Sequence, residues 1–388
     1  MKHCDVAIIG LGGIGSAAAW FAARNGASVI GFEQFQLGGH HRGASHDHSR
    51  IIRHSYHTSH YVDLTFGAYR AWSEVEQASG ETCVHVTGGI DLFPKDAAID
   101  IETYRAAMTE RGVSFDELTA AETRRRWPVF AIGDNVEVLY QDRTGLVSPE
   151  FTVALLQRLA VDAGADLHGL RPVIALDPTA DGIVVRSSTG DEVLASHVVV
   201  ATDAWTARLL APLGISIPLT VTQEQVTYYE TAAADRFAFG QLPVWIWMDD
   251  PSFYGFPTWG KPGVKVSQDC GGRPVDPDTR GFEPDQTILD RTDAFVATTF
   301  GGLLTQPLST TTCLYTLTPD RDFVLDTVPG HPNISVALGS GHAYKFAAWF
   351  GKTLATLATG GDPGCDLAPF RLDRPALTDP DYRGNWLV

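Results

Sequence analysis

Arg50 and Arg53 stand three residues apart in a stretch crowded with histidine: His40, His41, His46, His48, His54, His57 and His60. Guanidinium groups recognise carboxylates through paired hydrogen bonds, and cations stabilise an electron-rich ring. The histidines match no familiar metal-ligand spacing, and no cysteine or glutamate joins them, so no metal centre is expected. The stretch reads as an active-site loop carrying cations, with a solvated polar loop as the alternative. Three more residues could act. Cys313 sits in Thr311-Thr312-Cys313-Leu314-Tyr315-Thr316, where a lone cysteine is commonly a small core residue. Lys345 follows the turn Gly339-Ser340-Gly341 at a predicted helix start. Its charge would stand beside a crevice there, although a solvated surface lysine is the plainer reading. Lys265 alternates with Val264 and Val266 on a predicted strand, so it faces solvent or is buried for a purpose.

Such residues need a scaffold, and its clearest part is at the N-terminus. Asp5-Val6-Ala7-Ile8-Ile9 is a short apolar strand. Gly10, Gly12 and Gly15 then supply G-x-G-x-x-G, followed by an alanine-rich helical stretch from Ser16 to Asn25 that Gly26 can end. Ser28 to Phe32 is a second strand, closed by Glu33. The glycines permit a tight turn, close approach of the backbone to a pyrophosphate, and close helix–strand packing. The helix N-terminus presents unpaired N–H groups to phosphate. Glu33 can accept from ribose hydroxyls. Together these features predict dinucleotide binding, with FAD or NAD favoured over NADP by the acid.

The chain has 388 residues, 44% of them hydrophobic and 19% charged, which suits two or three interleaved globular units. No run approaches the roughly 20 apolar residues of a membrane span. A net charge of −17 argues against nucleic acid as partner. The five cysteines are scattered, with no C-x-x-C, as expected for a reduced compartment. The first strand begins at once, which leaves no room for a signal peptide. The closing Gly-Asn-Trp-Leu-Val is not a peroxisomal address. A cytoplasmic location is expected.

Further elements alternate along the chain. Helical patterns are predicted over 60–80, 97–127, 149–163, 289–300 and 344–358, and strand patterns around Gly88-Gly89 and over 166–194, 197–202, 218–272 and 324–338. The nucleotide fold is therefore split, with a strand returning near 198 and a last strand–glycine turn–helix near 335–358. The predicted class is α/β, an α+β two-domain flavoprotein. A discontinuous Rossmann-like FAD-binding domain takes 1–83, 146–217 and 320–388. A mostly antiparallel β-sheet substrate domain with flanking helices takes 84–145 and 218–319. Interruption by a β-rich domain favours a flavoprotein over a nicotinamide dehydrogenase.

The chain resembles the monomeric sarcosine oxidase / N-methyltryptophan oxidase family, within the wider D-amino-acid-oxidase-like FAD oxidoreductases. The resemblance runs end to end. It rests on the N-terminal fingerprint, Ser49-Arg50-Ile51-Ile52-Arg53-His54, Val86-Thr87-Gly88-Gly89, Arg126-Trp127-Pro128, Phe253-Tyr254-Gly255-Phe256-Pro257, Cys313-Leu314-Tyr315-Thr316 and Gly341-His342-Ala343-Tyr344-Lys345-Phe346. It implies an FAD-dependent oxidase of secondary amino acids that carry a carboxylate. Oxygen would be the acceptor, FAD would be bonded through Cys313, and the enzyme would be a monomer. Lys265 would stand beside the flavin and help oxygen accept electrons. Arg53 and Lys345 would grip the substrate carboxylate. His46 and Arg50 would pack against the flavin ring, His342 would lie on the turn beside it, and Tyr254 and Tyr315 would line the substrate pocket. Val173 would give backbone contacts to the adenine. Further cofactor contacts fall to Gly13, Ile14, Gln34, Ser45, Ser49, Ile51, Ala201, Thr202, Trp205, Gly339 and Gly341. Two positions depart from the pattern: Asp269 stands where the family's sarcosine oxidases carry a histidine and Thr58 where they carry a glutamate, and both would alter charge near the substrate entrance or amine site. Trp245 and Trp247 add large aromatics ahead of Tyr254. These departures leave open an oxidase or dehydrogenase of a cyclic secondary amino acid, proline- or pipecolate-like. A non-catalytic FAD-binding protein is the remaining alternative.

Overall fold

The computed structural model describes residues 1–384; the segment 385–388, which ends both the predicted cofactor domain and the terminal pentapeptide, lies outside the described residues. Among the described residues the strands form three sheets, of eight, nine and three strands.

Strand Lys2–Ile9 is central to the first sheet. It runs parallel to Val29–Phe32 on one side and to Glu192–Val200 on the other. Glu192–Val200 in turn pairs in parallel with Ile334–Leu338. These strands are apolar almost throughout because helices cover the sheet. Helix Gly13–Arg24 packs against Ala347–Ala358 and Pro149–Asp162. Its small side chains permit that approach: a Cβ on Gly351 would come within 2.3 Å of the Ala17 Cβ. An antiparallel hairpin, Val173–Thr179 with Gly182–Ser187, extends the sheet beyond Glu192–Val200. The carboxyl ends of the parallel strands bring Gly10, Glu33, Ala201 and Gly339 to one edge, the place where open α/β sheets bind ligands.

The nine-stranded sheet is antiparallel except where Val244–Trp247 runs parallel to Gly89–Pro94. Its longest ladder joins Thr220–Thr231 to Leu304–Leu317 and sets Glu224 opposite Cys313. The three-stranded sheet pairs Arg50–Ile52 and Val84–Val86 with Gly145–Val147, which fixes the arginine-bearing segment. Among the described residues no helix is long and apolar enough to cross a membrane.

One stretch differs from expectation. Residues 97–127 were expected to be helical, but helices Ile101–Glu110 and Ala120–Arg126 enclose a strand, Asp116–Thr119. Leu118 is buried there, and the strand pairs with Val136–Gln141. Thr119 and Glu122 then form a reciprocal cap that starts the second helix sharply.

Candidate active site

A cavity of about 520 Å³ runs between the sheets, lined by residues from Ile9 to Ala347. The glycine turn forms part of its wall. Gly10 has φ +88, and a Cβ on Gly15 would lie 1.8 Å from the Gly10 carbonyl oxygen, so neither position accepts a side chain. A Cβ on Gly12 would approach the Ser45 hydroxyl to 3.1 Å, and that hydroxyl accepts the Gly13 N–H at 3.0 Å. Glu33 accepts from the Leu11 N–H at 2.9 Å and the Phe35 N–H at 3.0 Å, while His40 Nε2 lies 3.4 Å away. Burial pushes the Glu33 carboxyl up, but hydrogen bonds from His40, Phe35 and Leu11 outweigh it and hold it below the usual carboxylate value. Its charge therefore braces the turn as well as facing the cavity. Ile14, Gln34, Ile51, Val173, Ala201, Thr202, Trp205, Gly339 and Gly341 also line the cavity. Beside Thr202, Asp203 has φ +45, and burial pushes its carboxyl up to about 6 against the opposing hydrogen bonds from Thr316 and the Ala204 N–H.

A second region gathers cations. Arg53 is buried, pairs with Asp91 at 3.1 Å, and stacks over the Tyr56 ring at 5.0 Å. Lys345 Nζ donates to the Tyr56 hydroxyl at 2.9 Å and the His342 carbonyl at 2.8 Å, both neutral acceptors. Burial, then Arg53 and to a lesser degree Arg321, pull the Lys345 ammonium well below its ordinary pKa, with Asp269 opposing them. Asp269 accepts from Tyr315 at 3.1 Å and pairs with Arg321 at 2.7 Å. His342 Nε2 lies 3.0 Å from the Arg321 carbonyl, and burial beside Lys345 keeps this imidazole neutral. Arg53, Lys345, His342, Asp269, Tyr254 and Tyr315 all line the same cavity.

Arg50 and Cys313 line it too. Arg50 donates to the carbonyls of Ser49 at 2.9 Å and Ala44 at 3.1 Å. Burial pushes the Cys313 thiol up to about 11, and Arg50 opposes that shift, so the arginine favours the reactive thiolate. Gly15, His46, Ser49 and Lys265 stand behind the wall rather than on it. Lys265 is 1% exposed and donates to the Ser49 carbonyl at 2.8 Å. His46 Nδ1 lies 3.4 Å from His41 Nδ1, and burial with Arg50 nearby keeps it uncharged.

Other expectations need correction. Thr58 is an exposed helix cap whose hydroxyl accepts the Tyr61 N–H, and it does not line the cavity. Trp245 packs against Phe130, Phe295 and Phe300, and Trp247 against Phe295. The strand's alternation instead turns Ile246 between them to the cavity. The histidines disperse: His48 lies 3.6 Å from Glu150 and His54 2.6 Å from Thr65. Sequence reasoning also missed Asp47, Tyr56, Asp91 and Arg321. Asp91 carried the same signal as Lys265, a lone charge in an apolar strand, Gly89-Ile90-Asp91-Leu92-Phe93.

A family model described as FAD dependent oxidoreductase (DAO) matches residues 5–357. The chain belongs to this family. A monomeric sarcosine oxidase from Streptomyces avermitilis is 34% identical over 92% of this chain and 94% of its own. An N-methyl-L-tryptophan oxidase from Citrobacter koseri is 30% identical over 96% and 99%. The solved structure of NikD, described as an unusual amino acid oxidase, superposes with a TM-score of 0.85 at 26% identity, covering 96% of this chain and 98% of that one. This family member is accordingly an FAD-dependent amine oxidoreductase. Its cavity fits the cofactor. The glycine cradle admits no side chain at Gly10 or Gly15, Ser45 and Glu33 brace it, and the neighbouring Asp203 and Thr316 line the wall.

Proposed function

We propose that this flavoenzyme oxidises N-methyl amino acids, consuming oxygen and water and giving the demethylated amino acid, formaldehyde and hydrogen peroxide. The observation that carries the reading is the pair of buried basic side chains, Arg53 and Lys345, on the wall of a cavity that continues to the glycine cradle. When bound, FAD takes two electrons from the C–H bond beside the amine nitrogen and returns them to oxygen. Arg53 and Lys345 hold the substrate carboxylate and so fix which C–H bond faces the cofactor. Tyr254, Tyr315 and Ile246 shape the remaining wall and exclude water. Asp269, held by Arg321 and Tyr315, faces the amine. Lys265, beneath Arg50, supplies positive charge where oxygen is reduced. Cys313 Sγ is the point of covalent attachment. Residues 1–83, 146–217 and 320–388 hold the cofactor, and 84–145 with 218–319 complete the substrate site.

The absorption spectrum before and after acid precipitation tests the cofactor, and an amine screen with formaldehyde and peroxide assays tests the reaction. In the parent the yellow colour should stay with the precipitate. In Cys313→Ser it should move to the supernatant. Formaldehyde-free turnover of proline or pipecolate would replace the N-methyl reading with the cyclic-amine one.

Substrate binding should also take up protons. The free Lys345 amine loses its proton easily because burial and two arginines oppose its charge. A bound carboxylate restores that charge. Uptake of up to about one proton is expected, growing as pH rises, with affinity falling over the same range. Calorimetry in buffers of different ionisation enthalpy measures it directly.

A further inference from the structure

Behind the wall of the cavity, the Lys265 ammonium is tied to a carboxylate from another part of the chain. Asp47 Oδ2 lies 2.6 Å from Lys265 Nζ. Both side chains are at least nine-tenths buried, Lys265 1% exposed and Asp47 4%. The other Asp47 oxygen accepts from the Tyr228 hydroxyl at 2.8 Å and lies 3.8 Å from Lys261 Nζ. Arg50 NH1 stands 3.8 Å from the carboxylate. Asp47 has φ +75, a left-handed conformation that costs an ordinary side chain energy and suits glycine. That strain is the second observation. Such a residue persists where its side chain is held in place by strong interactions, and here those are with Lys265 and Tyr228.

We propose that Asp47 is the positioning residue that keeps Lys265 charged and directed at the oxygen-reducing site, so that it sets the pH range over which the reduced enzyme reacts with oxygen. This rests on the role given above to Lys265. Dioxygen takes two electrons and two protons from the reduced enzyme to become hydrogen peroxide, and the first electron creates an anion. A nearby ammonium stabilises that anion and a neutral amine does not.

The neighbours of Lys265 decide the sign. Burial first, and Arg50 from strand Arg50–Ile52 after it, lower the Lys265 pKa, which with Asp47 in place stands at about 8. Asp47 is the first force acting the other way, and Cys313 across the sheet is a lesser one. The remaining groups facing this cluster are Tyr228, Tyr254, Lys261 and His46. Tyr228 and Tyr254 stay protonated because burial raises both phenols, and His46 stays neutral. None of these three can replace the carboxylate, and Lys261 has the wrong sign. Without Asp47, Lys265 gives up its proton at lower pH.

Two variants remove the charge differently. Asp47→Asn keeps the shape, and Asp47→Gly also relieves the left-handed strain, so at least one should fold. The chain has six lysines, Lys2, Lys95, Lys261, Lys265, Lys345 and Lys352, so side-chain signals of labelled lysine are few enough to follow by NMR. In the flavin-loaded protein the Lys265 signal is identified by its loss in Lys265→Met. Its titration midpoint should fall by at least about one pH unit in both Asp47 variants, a tenfold change in the ratio of charged to neutral amine. The second-order rate of reoxidation by oxygen, measured after anaerobic reduction, should decline with rising pH at a correspondingly lower pH in each variant. An unshifted Lys265 titration in both variants overturns the role given to Asp47. A shifted titration, with a Lys265→Met enzyme that reoxidises like the parent at every pH, overturns instead the oxygen role of Lys265 and the pH consequence drawn from it.

Discussion

Replacing Lys345 with methionine will raise KM for the amino-acid substrate by about 100-fold and leave the protein at least as stable as the parent. Lys345 is buried, and its hydrogen-bond acceptors, Tyr56 and the His342 carbonyl, carry no charge. Two arginines nearby make its ammonium costly in the empty site. A hydrogen bond between this group and a buried carboxylate is worth ~2–3 kcal/mol, which corresponds to roughly 100-fold in affinity. Removing the ammonium therefore deletes a binding interaction and relieves a repulsion together. Arg53→Met should behave differently, because Arg53 is the partner of buried Asp91. Breaking that pair leaves a carboxylate uncompensated, at ~3–5 kcal/mol of stability. Thermal unfolding beside steady-state kinetics separates the two outcomes. A Lys345→Met enzyme with parental KM, or with the large stability loss expected of Arg53→Met, contradicts the carboxylate clamp.

Gly15→Ala should yield a colourless protein. The added Cβ would stand 1.8 Å from the Gly10 carbonyl oxygen, which is backbone and can yield only by displacing the turn. Overpacking of that kind costs ~1–3 kcal/mol or more and falls on the cradle that receives the pyrophosphate. Gly26→Ala is the control. It has φ +92 but no heavy atom within 4 Å, so it should lose ~1 kcal/mol through backbone strain and remain yellow. The ratio of flavin to protein absorbance in the two purified variants gives the result.

The parts of this molecule that were legible in the sequence are those whose physics is local. The glycine turn, the helix after it and Glu33 lie within one short stretch, and their spacing carries the geometry. The division of the nucleotide fold was legible because each returning strand shows its own apolar run and turn. The charge pairs were not. Arg53 meets Asp91, Lys265 meets Asp47, and Arg321 meets Asp269 only after distant strands are in register. A one-residue choice of register also decides that Ile246 faces the cavity while Trp245 faces the aromatic core. The strand Asp116–Thr119 was hidden by helix-compatible residues and is set by its partner strand.

The packing of helix Gly13–Arg24 against Ala347–Ala358 has a bearing on how the protein is made. The first helix is translated more than 300 residues before the partner that covers it, Ala347–Ala358. At ~5–20 residues per second that interval is on the order of tens of seconds. Throughout it, the alanine face around Ala17 and the small residues of the turn have no permanent cover. Until then helix Pro149–Asp162 is the cover available to it, and cofactor loading must wait until residues 347–358 have been made. A ribosome stalled shortly before codon 347 would therefore carry a chain that has its entire glycine motif and still cannot complete the cavity around it.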